Sequence, residues 1–462
     1  MRTAGFDLVA QINKNFLNKA LAIAFNDNII NSQEIPQLKG SVEVPGLPQE
    51  LSAFKTIEYE LTLKAAPTLD TLIEDIIRIN FDIGAALTVF NGLKLNIEAI
   101  ALVDTAPTYD RVNRTLDINF KNANIFNIVI NDTSNIAPQV IEKMNQVIAT
   151  AIKTGLVDKV ENVPLITFST ELPMMPPERR LTIELGAIKG LNQSVLAVAV
   201  NFLGFTGGDV KQLPNFNPSN DVCVGMSNDA IHRIFKFWWD NTTHPKEFSQ
   251  FSTHDLLAPI TKDALRMLNL LEKLSFFLVT AGLFLEDTVI DSSSVTLSVK
   301  VKLDNIPKLE LKANEEILLS CDIHLDLKVE FNVKTTTKAT VLGRPKIFNG
   351  NHSLDLPSVS VPLTLDKVRA KIFFTQDKRL EAKVENVNVE IRLPWKLPNE
   401  VLNWVIDQIE GLITDAINPI PLSPTLISEK IPNTSTISTI NIQSLNSDNE
   451  DVISCFNITF SS

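Results

Sequence analysis

The sequence predicts an α+β protein of two pseudo-symmetric modules, each a long curved antiparallel sheet wrapped around a long helix. Three observations carry this expectation. Apolar residues recur at helical spacing near the start and end of each half. Between them run stretches that alternate apolar and polar residues. The order helix, meander, helix, proline-marked strand and hairpin then occurs twice along 462 residues. That length exceeds one ordinary core. It divides into residues 1–205 and 221–462, joined by a Gly-, Asn- and Pro-rich linker at 206–220.

Each element has its own reason. Phe6, Val9, Ile12, Phe16, Leu17, Ala20 and Ile23 share one helical face with Asn, Lys and Gln between them, which predicts a helix over residues 5–27. Prolines and glycines from Asn28 to Pro48 predict a loop with one edge strand. Ile57, Tyr59, Leu61 and Leu63 alternate with Glu58, Glu60 and Thr62; Leu93 to Glu98 keeps the same period, and Leu116, Ile118 and Phe120 extend the meander. Val140, Ile141, Met144, Val147, Ile148, Ala151 and Ile152 mark a second helix between Pro138 and Gly155. A strand at Val163-Pro164-Leu165 and a hairpin from Leu181 to Phe202, turning near Gly190 and Asn192, complete this half.

The second half repeats the plan. Met226, Ala230, Ile231, Ile234, Phe235 and Trp238 form a helical stripe with Ser227 or Asn228 as its cap. The pattern near 254–281 predicts an extra helix with no first-half counterpart. Val295 to Leu303 and Ile323 to Val333 alternate, the latter over about 36 Å of strand. Val368 to Ile372 and Val387 to Leu393 continue the meander. Pro398 precedes a helix with Val401, Leu402, Val405, Ile406, Ile409, Leu412, Ile413 and Ala416 on one side, and Ile437–Ile442 with Val452–Phe460 predicts a closing hairpin.

Charge and cysteine usage narrow the function classes. The net charge is -12 and no Lys/Arg run offsets it, which argues against nucleic acid and against an anionic membrane held by charge. Any membrane contact is expected to be mainly hydrophobic. Cys223, Cys321 and Cys455 form no CxxC pair, so neither a disulfide nor a zinc site is expected, and a reducing compartment fits best. Asp7, Gln11, Asn13 and Lys14 interrupt the opening segment, so no export signal is expected. The most apolar run, Leu274 to Leu285, is well short of the roughly twenty residues that span a bilayer. The expected location is cytoplasmic, with release by a non-classical route as an option.

No catalytic residue, metal or cofactor is expected. Gly225-Met226-Ser227-Asn228-Asp229 approaches a nucleophile elbow but lacks its second glycine, and reads as a helix cap. His232, His244, His254, His324 and His352 match no local metal signature. Long helices over long strands instead predict either a filled core or an elongated apolar slot, where each buried methylene contributes about 0.8 kcal/mol. The slot candidates are Val9, Ile12, Phe16 and Ala20, then Val140, Met144, Val147 and Ile148, then Ile231 and Phe235, and finally Leu402, Ile406 and Ile409. Their ligand is a lipid or another elongated apolar molecule. Phe237, Trp238 and Trp239, in a segment with four aromatics in five residues, and Met174 and Met175, in a proline-held loop, are candidates for contact with a membrane or partner.

The opening Gly5-Phe6-Asp7-Leu8-Val9, followed by Leu17-Asn18-Lys19-Ala20-Leu21, resembles the start of the clostridial forty-seven-kilodalton proteins encoded beside neurotoxin genes. Those belong to the tubular lipid-binding (TULIP) superfamily, as do the bactericidal/permeability-increasing proteins with their two pseudo-symmetric modules. The resemblance implies this fold over nearly the whole chain, a lipid slot and no catalytic residues. It also implies a second role, as a toxin or toxin-complex accessory protein, insecticidal activity included, that uses the fold as a binding scaffold. Exported relatives carry a signal peptide and a disulfide, neither expected here, so host-defence and plasma-transfer roles do not carry over.

Overall fold

A computed structural model describes residues 2–26, 38–43, 49, 56–89, 93–130, 138–153, 162–168, 170–176, 178–217, 219–341, 344–385, 387–426 and 437–461. The chain opens as a strand where the spacing predicts a helix. β1 (Leu8–Asn13) leads directly into α1 (Lys14–Asn26). β1 is covered on both faces: Val9 packs with Phe6, Leu191 and Val195 on one side, Leu8, Ala10 and Ile12 in the main core on the other. Apolar residues at both parities therefore imitate a helix stripe. Gln11, expected on a wet helix face, is fully buried. Its Nε2 donates to the Pro214 carbonyl at 2.6 Å, and its Oε1 accepts from the Phe216 and Asn217 amides at 2.9 and 3.0 Å.

The first half continues with β2 (Leu38–Glu43), β3 (Thr56–Leu63), β4 (Thr68–Ile73), β5 (Ile76–Val89), β6 (Leu93–Asp110), β7 (Thr115–Ile130), α2 (Pro138–Ile152) and β8 (Asn162–Thr167). These strands form a seven-stranded antiparallel sheet in the order β2-β3-β5-β6-β7-β8, with β4 beside β5. α2 packs on β7, β2 and β3. Gly155, the expected helix stop, lies outside the described residues. β9 (Ile183–Leu191) and β10 (Val195–Phe202) make the expected hairpin.

The second half comprises β11 (Val222–Ser227), α3 (Asn228–Asn241), β12 (Glu247–Asp255), α4 (Lys262–Met267), α5 (Leu271–Thr280), β13 (Thr288–Leu303), β14 (Lys308–Leu311), β15 (Glu316–Val341), β16 (Arg344–Asp355), β17 (Val359–Phe374), β18 (Leu380–Val384), α6 (Asn399–Ile417), β19 (Ile420–Pro421), β20 (Ile437–Ser447) and β21 (Asp451–Ser461). An eight-stranded sheet runs β12-β13-β15-β17-β18-β19, with β14 and β16 also paired to β15. Of the two expected caps, Ser227 caps α3 by accepting the Ala230 amide, and Asn228 is the first helical residue. The helix expected near 254–281 is instead the end of β12 followed by α4 and α5. Asn269 and Gly282, both at positive φ, stop the two short helices. Residues 387–393 alternate in burial yet join no sheet. The Val389 amide turns to Glu410 on α6, at 3.1 Å, because alternation reports a covered face and not a ladder partner.

A third sheet joins the halves in the order β9-β10-β1-β11-β21-β20. β1 and β11 are antiparallel, with Val9 opposite Gly225 and Ala10 opposite Val224. On one side stand β1, α1 and the β9–β10 hairpin; on the other, β11, α3 and the β20–β21 hairpin. The fold-class expectation therefore needs correction. The structure is mostly strand, in three curled antiparallel sheets, and the helices among the described residues are short, none longer than the 19 residues of α6. Among the described residues no sheet winds around a long helix. β15 alone has 26 residues, so the strands set the dimensions of the core.

Two side-chain links cross this central sheet. Asp7, with no exposed surface, accepts the Phe202 amide at 2.7 Å and pairs with Arg233 of α3, whose guanidinium lies 3.9 Å from the Phe205 ring centroid. Breaking a buried pair of this kind costs about 3–5 kcal/mol. Cys223 of β11 and Cys455 of β21, directly opposed in register, form a disulfide. This overturns the expectation of no disulfide. The partners lie 232 residues apart, so no local spacing reveals them. Cys321 is free, and burial pushes its thiol up to about 12, which leaves it unreactive.

Candidate functional site

The apolar residues expected to line a slot fall mostly into one continuous cluster. Ile12 and the α1 residues Phe16 and Ala20, the α2 residues Met144, Val147 and Ile148, the α3 residues Ile231 and Phe235, and Ile409 of α6 all belong to it. Each is between 0% and 4% exposed. Val9 points to the opposite face of β1, into the smaller cluster with Phe6. Leu402 and Ile406 are half-buried on the flank of α6. Val140 lies in α2, but its side chain is outside the described residues.

α6 packs along β12 and β13. Polar and ring contacts tie it to that edge: Trp404 stacks on His254 with centroids 5.3 Å apart, and Gln250 donates to Gln408 at 2.9 Å. Leu402, Trp404 and Ile406 all remain half-buried there. The apolar stripe of α6 is thus wider than the sheet covers. The same holds for α2, where Ile141 and Ala149 flank the buried Met144 and Ile148.

The two sets expected to meet a membrane or partner meet each other. Trp238 and Trp239 are buried and Phe237 is half-buried, so this structure does not present the two tryptophans to a bilayer. The Trp238 indole donates to the Pro173 carbonyl at 2.8 Å, and the Thr243 amide donates to the Met174 carbonyl at 3.0 Å. More aromatics than one helix face can bury are accommodated because α3 is gripped from several sides: Phe235 stacks on Trp238, which also meets Trp239 and His244 at tilted angles. Met174 is exposed, and half-buried Met175 lines a small crevice of about 270 Å³ with Leu172, Arg179 and Arg180.

Sequence reasoning missed a polar crevice of about 630 Å³ on the eight-stranded sheet, lined by Ser292, Ser294, Asn332, Lys334, Asn351 and Ser353 among others. Its one linear signal is the Ser292-Ser293-Ser294 run, whose small side chains leave the space open. Burial holds the His352 imidazole at its margin below the ordinary histidine range. Among the described residues no group of three or more His, Cys, Asp or Glu is placed to hold a metal. No helix among them is long and apolar enough to cross a membrane.

No protein-family model matches the chain, and no curated protein matches it in sequence. The solved structures it resembles include P47 from Clostridium botulinum A2, at 10% identity over 98% of this chain and 97% of that one, TM-score 0.39. P47 of Clostridium botulinum E1 matches at 10% identity over 98% of this chain and 99% of that one, TM-score 0.36. A lipopolysaccharide-binding protein matches at 12% identity over 99% of each chain, TM-score 0.32.

Proposed function

We propose that this chain is a non-enzymatic lipid-binding protein that holds acyl chains against the helix-covered apolar faces of two units, residues 1–205 and 221–462. The observation that carries this reading is the continuous apolar cluster from α1 and α2 through α3 to α6, together with the half-buried flank Leu402, Trp404 and Ile406. An acyl chain laid along that flank gains about 0.8 kcal/mol for each methylene removed from water, without a charged anchor. The chain is made in the cytoplasm, and its disulfide favours a released form that works in oxidising surroundings. Native mass spectrometry of the purified protein, followed by organic extraction, tests the reading. Discrete adducts of lipid mass are expected. A clean unliganded mass, with no uptake of offered phospholipids or fatty acids, overturns it.

A second reading is favoured by the burial of Ile12, Ile148, Ile231 and Ile409, each at most 1% exposed, as in a core filled by its own side chains. In it the fold is a scaffold, and the protein is a toxin or toxin-complex accessory component, insecticidal activity included. The same clean mass, with toxicity in an insect feeding assay or capture of a toxin-complex partner, supports it.

A further inference from the structure

We propose that the far end of the eight-stranded sheet, where the β15–β16 hairpin ends beside α5, docks on a bilayer containing anionic phospholipid. α5 buries Leu274 and Leu278 but turns apolar residues outward as well. Phe276, Phe277 and Val279 on α5, Phe284 in the following turn, and Val289 and Ile347 at the strand ends are between 43% and 69% exposed. Side chains this apolar are normally turned inward, and an exposed cluster of them marks a contact surface. The run Leu274 to Leu285, too short to cross a bilayer, has the length of a segment that lies in its interface.

These residues form one end of the molecule. The Phe277 ring stacks on His352 of β16 with centroids 6.0 Å apart. Thr288 donates its hydroxyl to the Phe284 carbonyl at 2.8 Å, and the Lys338 amide donates to the Asp287 carbonyl at 3.2 Å. Ile347 stands opposite Lys338 in the ladder, and Val289 opposite Thr336. At the hairpin end, Lys338 and Ile347 on one face and Arg344 and Lys346 near the other are all exposed.

Charge identifies the occupant. In a chain of net charge -12, the stretch from Phe331 to Leu354 carries Lys334, Lys338, Arg344 and Lys346 and no acidic residue. None of the four is in an ion pair among the described residues. Of the nearby acids, Glu286 and Asp287 are exposed on the turn between Phe284 and Thr288, and Asp291 is engaged by the Thr336 hydroxyl at 2.6 Å, so the basic excess lies on the β15–β16 hairpin and not on that turn. The linear sequence contains no basic run, which argues against an anionic membrane. Pairing of β15 with β16 brings together what the sequence separates, and that argument fails locally. Apolar groups on α5 and the strand ends, rimmed by unpaired Lys and Arg, match the boundary between acyl chains and phosphates. The polar crevice, which shares Lys334 with this surface, opens beside it.

The test is flotation of the full chain with vesicles of phosphatidylcholine alone and of phosphatidylcholine with phosphatidylserine, at low and high salt. Two double variants are compared, K338E/K346E and F276S/F284S, with thermal melts to establish that both fold. The wild type is expected to float with the phosphatidylserine vesicles, at least ten-fold more weakly with phosphatidylcholine alone, and each variant to lose ten-fold or more. Absence of wild-type binding, equal binding to both vesicles, or full binding by both variants overturns the proposal. Lipid carried inside the protein is read separately by native mass spectrometry. A variant that keeps its internal lipid but no longer floats separates docking from interior binding.

Discussion

Asp117 and Asp7 are both buried carboxylates, with opposite consequences. Asp7 is met by the Phe202 amide and Arg233, whereas Oδ1 of Asp117 on β7 has no hydrogen-bond partner. Burial raises the Asp117 pKa, and a side-chain hydrogen bond from Thr115 only partly opposes it. The folded state therefore holds that proton more tightly than the unfolded state. The resulting penalty is absent below the ordinary carboxylate range and full once the pH exceeds the raised folded pKa. Asp117→Asn, of the same shape but without charge, is expected to raise the melting midpoint at pH 7. That advantage should shrink as the pH falls toward about 4, which thermal melts across this range would read. The sequence does not separate the two residues. Asp117 stands between Leu116 and Ile118 and Asp7 between Phe6 and Leu8, and the partners that decide the difference for Asp7 stand some two hundred positions away.

At the scale of elements, α3 acts as a wedge between the halves. Trp238 is among the largest fully buried side chains, and its indole N–H is satisfied by Pro173. Trp238→Ala should cost about 3–5 kcal/mol in urea unfolding, while a membrane-contact role for that ring predicts almost no loss of stability. α2 and α6 are legible because each presents one covered side that a period of 3.6 reports, and the Ser227 cap and the two terminal hairpins because a capping or turn residue marks them. β1 and β11 were not, because they sit at the middle of a sheet with both faces covered. The sequence predicts one helix after β12 where the structure has two, because the apolar positions run on across Asn269 and only its left-handed backbone breaks the helix.

For the molecule as a whole, the repeated order of elements was legible, but the sheet shared by the halves was not. Its pairings join β1 to β10 and β11, and β11 to β21, across distances that no periodicity measures. The same separation hid the disulfide and the docking end. Thiol titration in denaturant should find one free thiol per chain, that of Cys321, and three after reduction. Reduction should lower stability by about 2–4 kcal/mol, since it frees a long loop in the unfolded chain. The separation of Cys223 from Cys455 also sets a clock on biosynthesis. At about 5–20 residues per second, a ribosome needs roughly 12–46 s to travel the 232 residues between them. For that interval β11 has no β21 beside it, and its open edge can recruit a strand from a neighbouring nascent chain. Yield of folded protein should therefore depend on how crowded and how warm the producing cell is while the second half is still being made.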